Sequence, residues 1–438
     1  MSSRQSRRDF LVHSSAIAGT TLASTLATPG GVHAGGSDGL KIGLLGCGGR
    51  GAGAVRNALS VDPSARLVAM FDPFQDRLYE RRKALRNVAG EQVAVDDDHC
   101  YTGFDGFKEL LASGIDVAIL AEPPHFRPMH IEACVDAGVH VLAEKPMAVD
   151  APGVRRVLAA GEKARKKGIS FVSGFETRYS SEARQAVEKI RDGAIGDIVA
   201  IQGIYNVGFL WHRGRKPEWT EMEYQLRNWY YFTWLSGDHI VEQFVHFMDK
   251  ACWFLDEQPP VSAWGYGGRQ VRTDPKWGDI FDHHAVNFEY ANGVRIFAYT
   301  RQQQGCANEV SDTVLGTKGR LVHGGPKRRR SAWQIEGETN WSPEPSSKHP
   351  EVSCFEEMFA GIRSGNPIND SQTMANSTML AIHGRMATYS GQVIKWEDAF
   401  NSTRVLAPER YAWDADPPVL PDENGHYPVP VPGATEVL

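Results

Sequence analysis

The stretch Lys41-Ile42-Gly43-Leu44-Leu45-Gly46-Cys47-Gly48-Gly49-Arg50-Gly51 constrains this chain more than any other. A short apolar run, read as a buried strand, enters a GxGxxG loop, and apolar residues at helical spacing follow through Val55 and Leu59. The next predicted strand, 66–71, ends at Asp72, which stands 21 residues past Gly51. In that context each residue has a physical task. Gly46 permits the tight turn, Gly48 lets the backbone approach a pyrophosphate, and Gly51 lets helix and strand pack closely. Gly49 and Arg50 open the helix whose N-terminus meets the negative charge. A carboxylate at position 72 accepts hydrogen bonds from ribose hydroxyls and repels a 2′-phosphate, which favours NAD over NADP.

Strands and helices alternate from there. A charged helix is predicted over 75–88, with further helices at 106–112 and 129–137. Strands are predicted at 117–120 and 140–143, the second running into Glu144-Lys145-Pro146. Such alternation means a parallel, doubly wound sheet. After a helix over 151–167 and a strand at 170–173 the pattern changes to longer strands of period two, at 198–205, 261–266, 284–290 and 294–300. Asn292-Gly293 joins the last two as a hairpin turn. The expected fold class is therefore α/β: an N-terminal NAD-binding Rossmann domain, then an α+β domain with a mostly antiparallel, open sheet. Helices are also expected over 355–364 and 373–390, after an Arg-rich loop at Lys327–Arg330.

The N-terminus reads differently. Arg7-Arg8, then Phe10-Leu11, a weakly apolar stretch from Ala16 to Ala27, and Val32-His33-Ala34 match a twin-arginine export signal cleaved after Ala34. That stretch is too short and polar to span a bilayer, so no stable membrane span is expected. The reading predicts the twin-arginine machinery as a partner, a periplasmic destination, and a dinucleotide loaded before export and held tightly. The division expected is 1–34 signal, 39–168 Rossmann domain, 169–395 substrate and oligomerisation domain, and 396–438 a Pro-rich tail packed on the body. About 400 residues beyond the signal exceed what one core usually supports. A net charge of -6 argues against nucleic acid as a partner. Six cysteines lie far apart without a CxxC pair, and are expected to be mostly free, buried thiols.

Two segments carry candidate chemistry. Lys145 follows the carboxyl end of a parallel strand, the edge at which open α/β sheets bind ligands, and Glu144 precedes it. A partly desolvated lysine there could handle the proton of a hydroxyl while hydride leaves the same carbon. The alternative is a surface lysine paired with Glu144. The second segment is Ser236-Gly237-Asp238-His239-Ile240-Val241-Glu242-Gln243-Phe244-Val245-His246-Phe247-Met248-Asp249. If it is helical, Glu242 and His246 lie one turn apart on one face, with His246 as general acid or base and Glu242 orienting it. His239 and Asp249 fall near the same face, so a metal site completed by His283 or His284 is a further reading. No compact HExxH is present, and no metal is expected.

Taken together, GLLGCGGRGAG, the Ala121–Pro124 region, EKP, GFETRY and the GDHIVEQFVHFMD segment resemble the glucose–fructose oxidoreductase/inositol dehydrogenase (Gfo/Idh/MocA) family, in the family's order over nearly all the mature chain. The resemblance implies a Rossmann domain followed by a mainly antiparallel sheet that carries a sugar or cyclitol, with Lys145 and His246 as catalytic residues. The family usually has Asp where Glu242 stands and a small residue where Phe244 stands. Arg178 of GFETRY matches a position near the site; a surface ion pair is the alternative. His283 and His284, with Arg301, also resemble family sequence on the second sheet and are candidates for sugar hydroxyls, as is His239. Trp211, Trp219, Trp229 and Trp234 could stack on a sugar or form a subunit contact, although core packing is the commoner role of such residues.

Three functions compete at this stage. The first is an NAD-dependent oxidoreductase acting on a sugar, sugar derivative or cyclitol. The second is a redox-neutral NAD-dependent glycosidase that oxidises, eliminates the aglycone and returns the hydride. The third is a binding protein that kept the fold, which loss of Lys145 or the glycine loop would have favoured. An aromatic-rich open sheet face suggests a homo-oligomer.

Overall fold

The structure is a computed structural model and describes residues 39–325 and 332–438. Residues 1–34, read above as an export signal, and the Lys327–Arg330 loop lie outside the described residues. The first sheet has six strands: β1 (Lys41–Leu45), β2 (Arg66–Phe71), β3 (Cys100–Tyr101), β4 (Val117–Leu120), β5 (His140–Ala143) and β6 (Phe171–Ser173). All pair in parallel, in the order β3-β2-β1-β4-β5-β6. Parallel strands are covered by helices on both faces, and β4, Val-Ala-Ile-Leu, is accordingly buried at every residue. The strand order reverses between β1 and β4, which opens a crevice at their carboxyl ends under the glycine loop. The two-residue β3 gives no periodicity and could not be read from the sequence.

The second sheet has eight strands: β7 (Ile198–Val207), β8 (Ser262–Gly268), β9 (His283–Glu289), β10 (Arg295–Gln302), β11 (Glu309–Gly316), β12 (Gly319–Gly324), β13 (Trp333–Gly337) and β14 (Ile394–Lys395). Their order is β13-β12-β11-β7-β10-β9-β8-β14, with β7 and β10 parallel and the other neighbours antiparallel. Strands β7 to β10 fall where period-two alternation predicts them. β11 to β13 were not foreseen, because Asp312, Thr313 and His323 interrupt the apolar pattern, and pairing with β7 recruits them. Alternate residues of β9 and β10 are buried, so one face packs and the other is more open.

Helices Val245–Phe254 and Ser371–Ser390 cover the packed face. The second of these is buried on nearly every side, since it also packs against helix Ala151–Lys167 of the first half. Thr378 on it accepts the Met147 N–H at 3.2 Å, close to Lys145 in the chain. The segment expected to be one helix over 236–249 is two: His239–Glu242 and Val245–Phe254, with Gln243 and Phe244 between them.

A third apolar cluster forms where the halves meet. Phe74 and Phe126 come from the first half; Met222, Tyr230, Tyr231, Phe232 and Trp234 from the aromatic excursion after β7; Ala415 and Tyr427 from the Pro-rich tail. Tail and excursion are also hydrogen-bonded: Gln225 Nε2 donates to the Val419 carbonyl at 2.7 Å. All six cysteines are free; Cys47, Cys134, Cys252 and Cys354 are buried, Cys100 is half-buried and Cys306 exposed. Among the described residues no helix is long and apolar enough to cross a membrane.

Candidate active site

The glycine loop is shaped by what a side chain would strike. Gly46 has φ +93°, and a Cβ there would come within 2.5 Å of the Glu122 nitrogen. A Cβ on Gly51 would lie 2.3 Å from the Gly46 carbonyl oxygen. Gly48 and Gly49 differ: a Cβ on either meets nothing within 4 Å. They open helix Gly49–Val61, which has no side-chain N-cap, so its first N–H groups are left for a ligand. The cavity at this point measures about 510 Å³ and is lined by Gly46–Arg50, Asp72, Phe74 and Pro123 among others. That is the size of a small-molecule site.

Asp72 lines the same cavity at the end of β2 and is buried, which pushes its carboxyl pKa up. One oxygen accepts the Cys47 N–H at 2.9 Å and the other the Phe74 N–H at 3.0 Å. Each carboxylate oxygen keeps a further lone pair, the acceptors a ribose needs. A bare helix N-terminus, a cradle that a Cβ would narrow and a carboxylate at the strand end together fit a nicotinamide dinucleotide. Arg50, which lines the cavity, and Glu144, the other residue placed beside the cofactor, are joined to each other. Arg50 Nε meets Glu144 Oε1 at 2.5 Å, and Arg50 also pairs with Glu351. Glu144 is buried, so its carboxylate is committed to Arg50.

Lys145 follows β5, with a cis peptide to Pro146. Its Nζ donates to Glu242 Oε1 at 2.9 Å and to the Glu242 main-chain carbonyl at 2.5 Å. The partner is therefore Glu242 rather than Glu144. The helix break after Glu242 explains the second bond, because a carbonyl at a helix end lacks an intrahelical donor. His246 sits in the first turn of the following helix, with Nδ1 3.6 Å from Glu176 Oε1. Burial and then the Lys145 ammonium hold the His246 imidazole well below its ordinary pKa, so it is neutral at pH 7. Burial pushes the Glu176 carboxyl up. Lys145 and Glu242 keep 14% and 15% of their side chains exposed, His246 and Glu176 28% and 32%, so all four remain open to an incoming molecule. Glu176 was missed in the sequence, although it stands two residues before Arg178 in GFETRY.

The structure places the remaining candidates elsewhere. Arg178 donates to Asp249 Oδ1 at 2.8 Å and Glu257 Oε1 at 2.7 Å, and lies 5.3 Å from the Trp253 ring centroid. It is a largely buried tie between Glu176–Tyr179 and the helix that carries His246, and its donors are turned to protein carboxylates. His239, the first residue of the helix that Asp238 caps, is fully buried; its Nδ1 meets Asp238 Oδ1 at 2.7 Å. Burial lowers its pKa to about 4. Asp238, His239 and His284 do converge, but Asp249 and His283 do not join them. Asp238 accepts from the His239 N–H, the Phe281 N–H at 2.9 Å and the Tyr389 hydroxyl at 2.6 Å, so its lone pairs are spent on protein donors. His283 and Arg301 face each other across β9 and β10. His283 meets Asp282 at 2.8 Å, and Arg301 donates to the Ala307 carbonyl at 2.5 Å. Trp234 is buried, with its indole N–H on Gln225 at 2.7 Å, whereas Trp211 and Trp229 line the dinucleotide cavity.

Residues 40–172 match the oxidoreductase family with an NAD-binding Rossmann fold named for GFO, IDH and MocA, and residues 183–322 match the GFO/IDH/MocA C-terminal domain. The chain is 26% identical over 295 residues to inositol 2-dehydrogenase of Rubrobacter xylanophilus, covering 65% of this chain and 71% of that protein. Aldose-aldose oxidoreductase of Caulobacter crescentus superposes with a TM-score of 0.63 at 18% identity, over 82% of this chain and 99% of that one. The WlbA dehydrogenase of Bordetella pertussis, solved with NADH and UDP-GlcNAcA, superposes with a TM-score of 0.62 at 20% identity, over 82% and 98%. The glycine loop, the lysine at the end of β5 and the two-sheet architecture thus belong together: the chain is a member of the Gfo/Idh/MocA family of NAD(P)-dependent oxidoreductases.

Proposed function

We propose that this enzyme oxidises or reduces a secondary hydroxyl of a sugar, sugar derivative or cyclitol, with NAD as the tightly held redox partner. The observation that carries the reading is the partly open group of Lys145, Glu242 and His246 beside the end of β5, on the strand edge that also carries the glycine loop. Similarity to inositol 2-dehydrogenase supports the substrate class. Gly46–Gly51 would hold the pyrophosphate and Asp72 the adenosine ribose, and the carboxylate's charge selects NAD over NADP. A bound nicotinamide supplies the two-electron couple.

The chain's own residues manage the proton. Lys145 Nζ has three hydrogen-bonding positions, and Glu242 occupies two of them. With Nζ as the free amine the third position is a lone pair facing the reacting hydroxyl, whose proton it takes in the oxidative direction and returns in the reductive one. Glu242 fixes the direction of Nζ. His246, neutral at pH 7, offers a ring nitrogen to a neighbouring hydroxyl. The Arg7-Arg8 leader supports export of the loaded protein to the periplasm.

The test is an incubation of the purified full chain with a panel of cyclitols, aldoses and glycosides, followed by the absorbance of reduced nicotinamide and by product analysis. Net reduction of cofactor with a cyclitol or sugar is expected. Aglycone release without net reduction would instead establish the redox-neutral glycosidase, and no change of the nicotinamide with any substrate would sink both.

A further inference from the structure

The dinucleotide cavity has a wall that the Rossmann domain does not supply. Trp211, Arg213, Leu226, Arg227 and Trp229 line it together with the glycine loop and Phe74, yet they belong to the excursion that leaves the second sheet after β7. The excursion is held as a unit. Arg213 N–H donates to Asn228 Oδ1 at 2.8 Å, and Asn228 Nδ2 donates back to the Arg213 carbonyl at 3.1 Å, so its two limbs are stitched together by a fully buried amide. Thr220 caps helix Glu221–Arg227, whose last residue is Arg227.

Arg227 joins this unit to the Rossmann domain. Its Nε donates to Glu223 at 2.8 Å in its own helix, while its two Nη groups reach the two oxygens of Asp76 at 3.1 and 3.3 Å. Asp76 lies in the first turn of the helix after β2. The guanidinium also stands 4.0 Å from the centroid of Phe74, two residues past Asp72. Phe74 is buried, and Trp413 of the tail packs on it at 5.3 Å. The wall therefore adjoins the ribose-binding carboxylate, at the adenosine end of the cavity.

We propose that the 211–229 excursion forms the far wall of the adenosine subsite and that Arg227 is the positioning residue that keeps it closed, so the dinucleotide leaves only when this wall moves. The proposal rests on reading the cavity as a dinucleotide site. Trp211 and Trp229 offer aromatic surface to a purine, and Arg213 offers a cation that can stack on it. A cofactor enclosed between two domains dissociates slowly, because release must break the Arg227 contacts as well as its own.

The experiment uses the full chain loaded with NADH and chased with excess NAD, following the decay of reduced-nicotinamide fluorescence. Arg227→Gln is expected to speed release roughly tenfold, the factor that loss of its contacts to the Rossmann domain, the Phe74 cation–π contact and the Asp76 ion pair, allows. ADP-ribose affinity is expected to fall by a similar factor while nicotinamide mononucleotide affinity is unchanged, a split that general destabilisation does not produce. Arg227→Lys keeps the charge facing Asp76 and is expected to restore part of the retention. Asp76→Asn, at a side chain 61% exposed and so harmless to folding, is expected to speed release by a smaller factor. Wild-type release rates in both Arg227→Gln and Asp76→Asn would overturn the wall. Failure of the wild-type chain to bind NADH at all would overturn the dinucleotide reading itself.

Discussion

The Nζ of Lys145, on the first domain, lies 2.9 Å from Oε1 of Glu242, on the second. Removing either partner therefore breaks a contact between domains as well as the proposed orientation of the Lys145 amine. Lys145→Ala is expected to lower kcat by about 10²–10⁴-fold while NADH binding persists, because general acid–base catalysis is worth that much. Glu242→Gln keeps the size and one hydrogen bond, and a smaller loss is expected. Steady-state turnover with the best substrate of the panel, beside NADH titration, checks both.

The glycines divide into those the fold needs and those the ligand needs. Gly51→Ala is expected to destabilise the protein by about 1–3 kcal/mol, since its Cβ collides with a fixed carbonyl. Gly48→Ala is expected to leave the thermal midpoint unchanged, because its Cβ meets open space, yet to weaken NAD binding. Melting curves and NADH titrations of the two variants should show opposite patterns.

Arg178→Ala tests the reassignment of that residue. It leaves Asp249 buried without its cation, so a stability loss of about 3–5 kcal/mol is expected. KM should change little beyond what unfolding explains. A selective rise in KM in a stably folded variant would return Arg178 to the substrate site.

Two buried histidines contribute stability that acid removes in a defined window. His239 and His383 are buried, with pKa values lowered to about 4. Each contributes stability in full above the unfolded value of about 6.5, and this is lost as pH falls through about 4. Asp279, raised to about 6 by burial, acts with the opposite sign: its contribution is present at low pH and is lost as pH rises through about 6. The histidine contribution is read from urea midpoints: between about pH 6.5 and about pH 4 the wild type is expected to lose more stability than His383→Gln, which lacks one of the two groups.

The local pattern of the sequence determined a great deal. Apolar runs alternating with helical spacing allow one arrangement, a parallel sheet with both faces covered. A GxGxxG loop between strand and helix, followed by Asp72, commits the chain to a dinucleotide cradle. Lys145, Glu242 and His246 could also be picked out, by their residue types and by resemblance. Tertiary structure decided what those residues touch. A helix break at Gln243–Phe244 cannot be read from spacing, yet it frees the Glu242 carbonyl for Lys145, and the burial of His239 against Asp238 is likewise set by packing. Arg178 carries the same charge on the surface or in the interior, and only the arrival of Asp249 and Glu257 from distant positions made it a buried tie. The aromatic excursion looked like a sugar platform or a subunit contact. Packing against Phe74 and the tail turned most of it into core and left Trp211, Arg213 and Trp229 facing the cofactor cavity. Periodicity reports which side of an element is apolar, whereas a partner far along the chain is chosen by the free energy of the whole packed assembly.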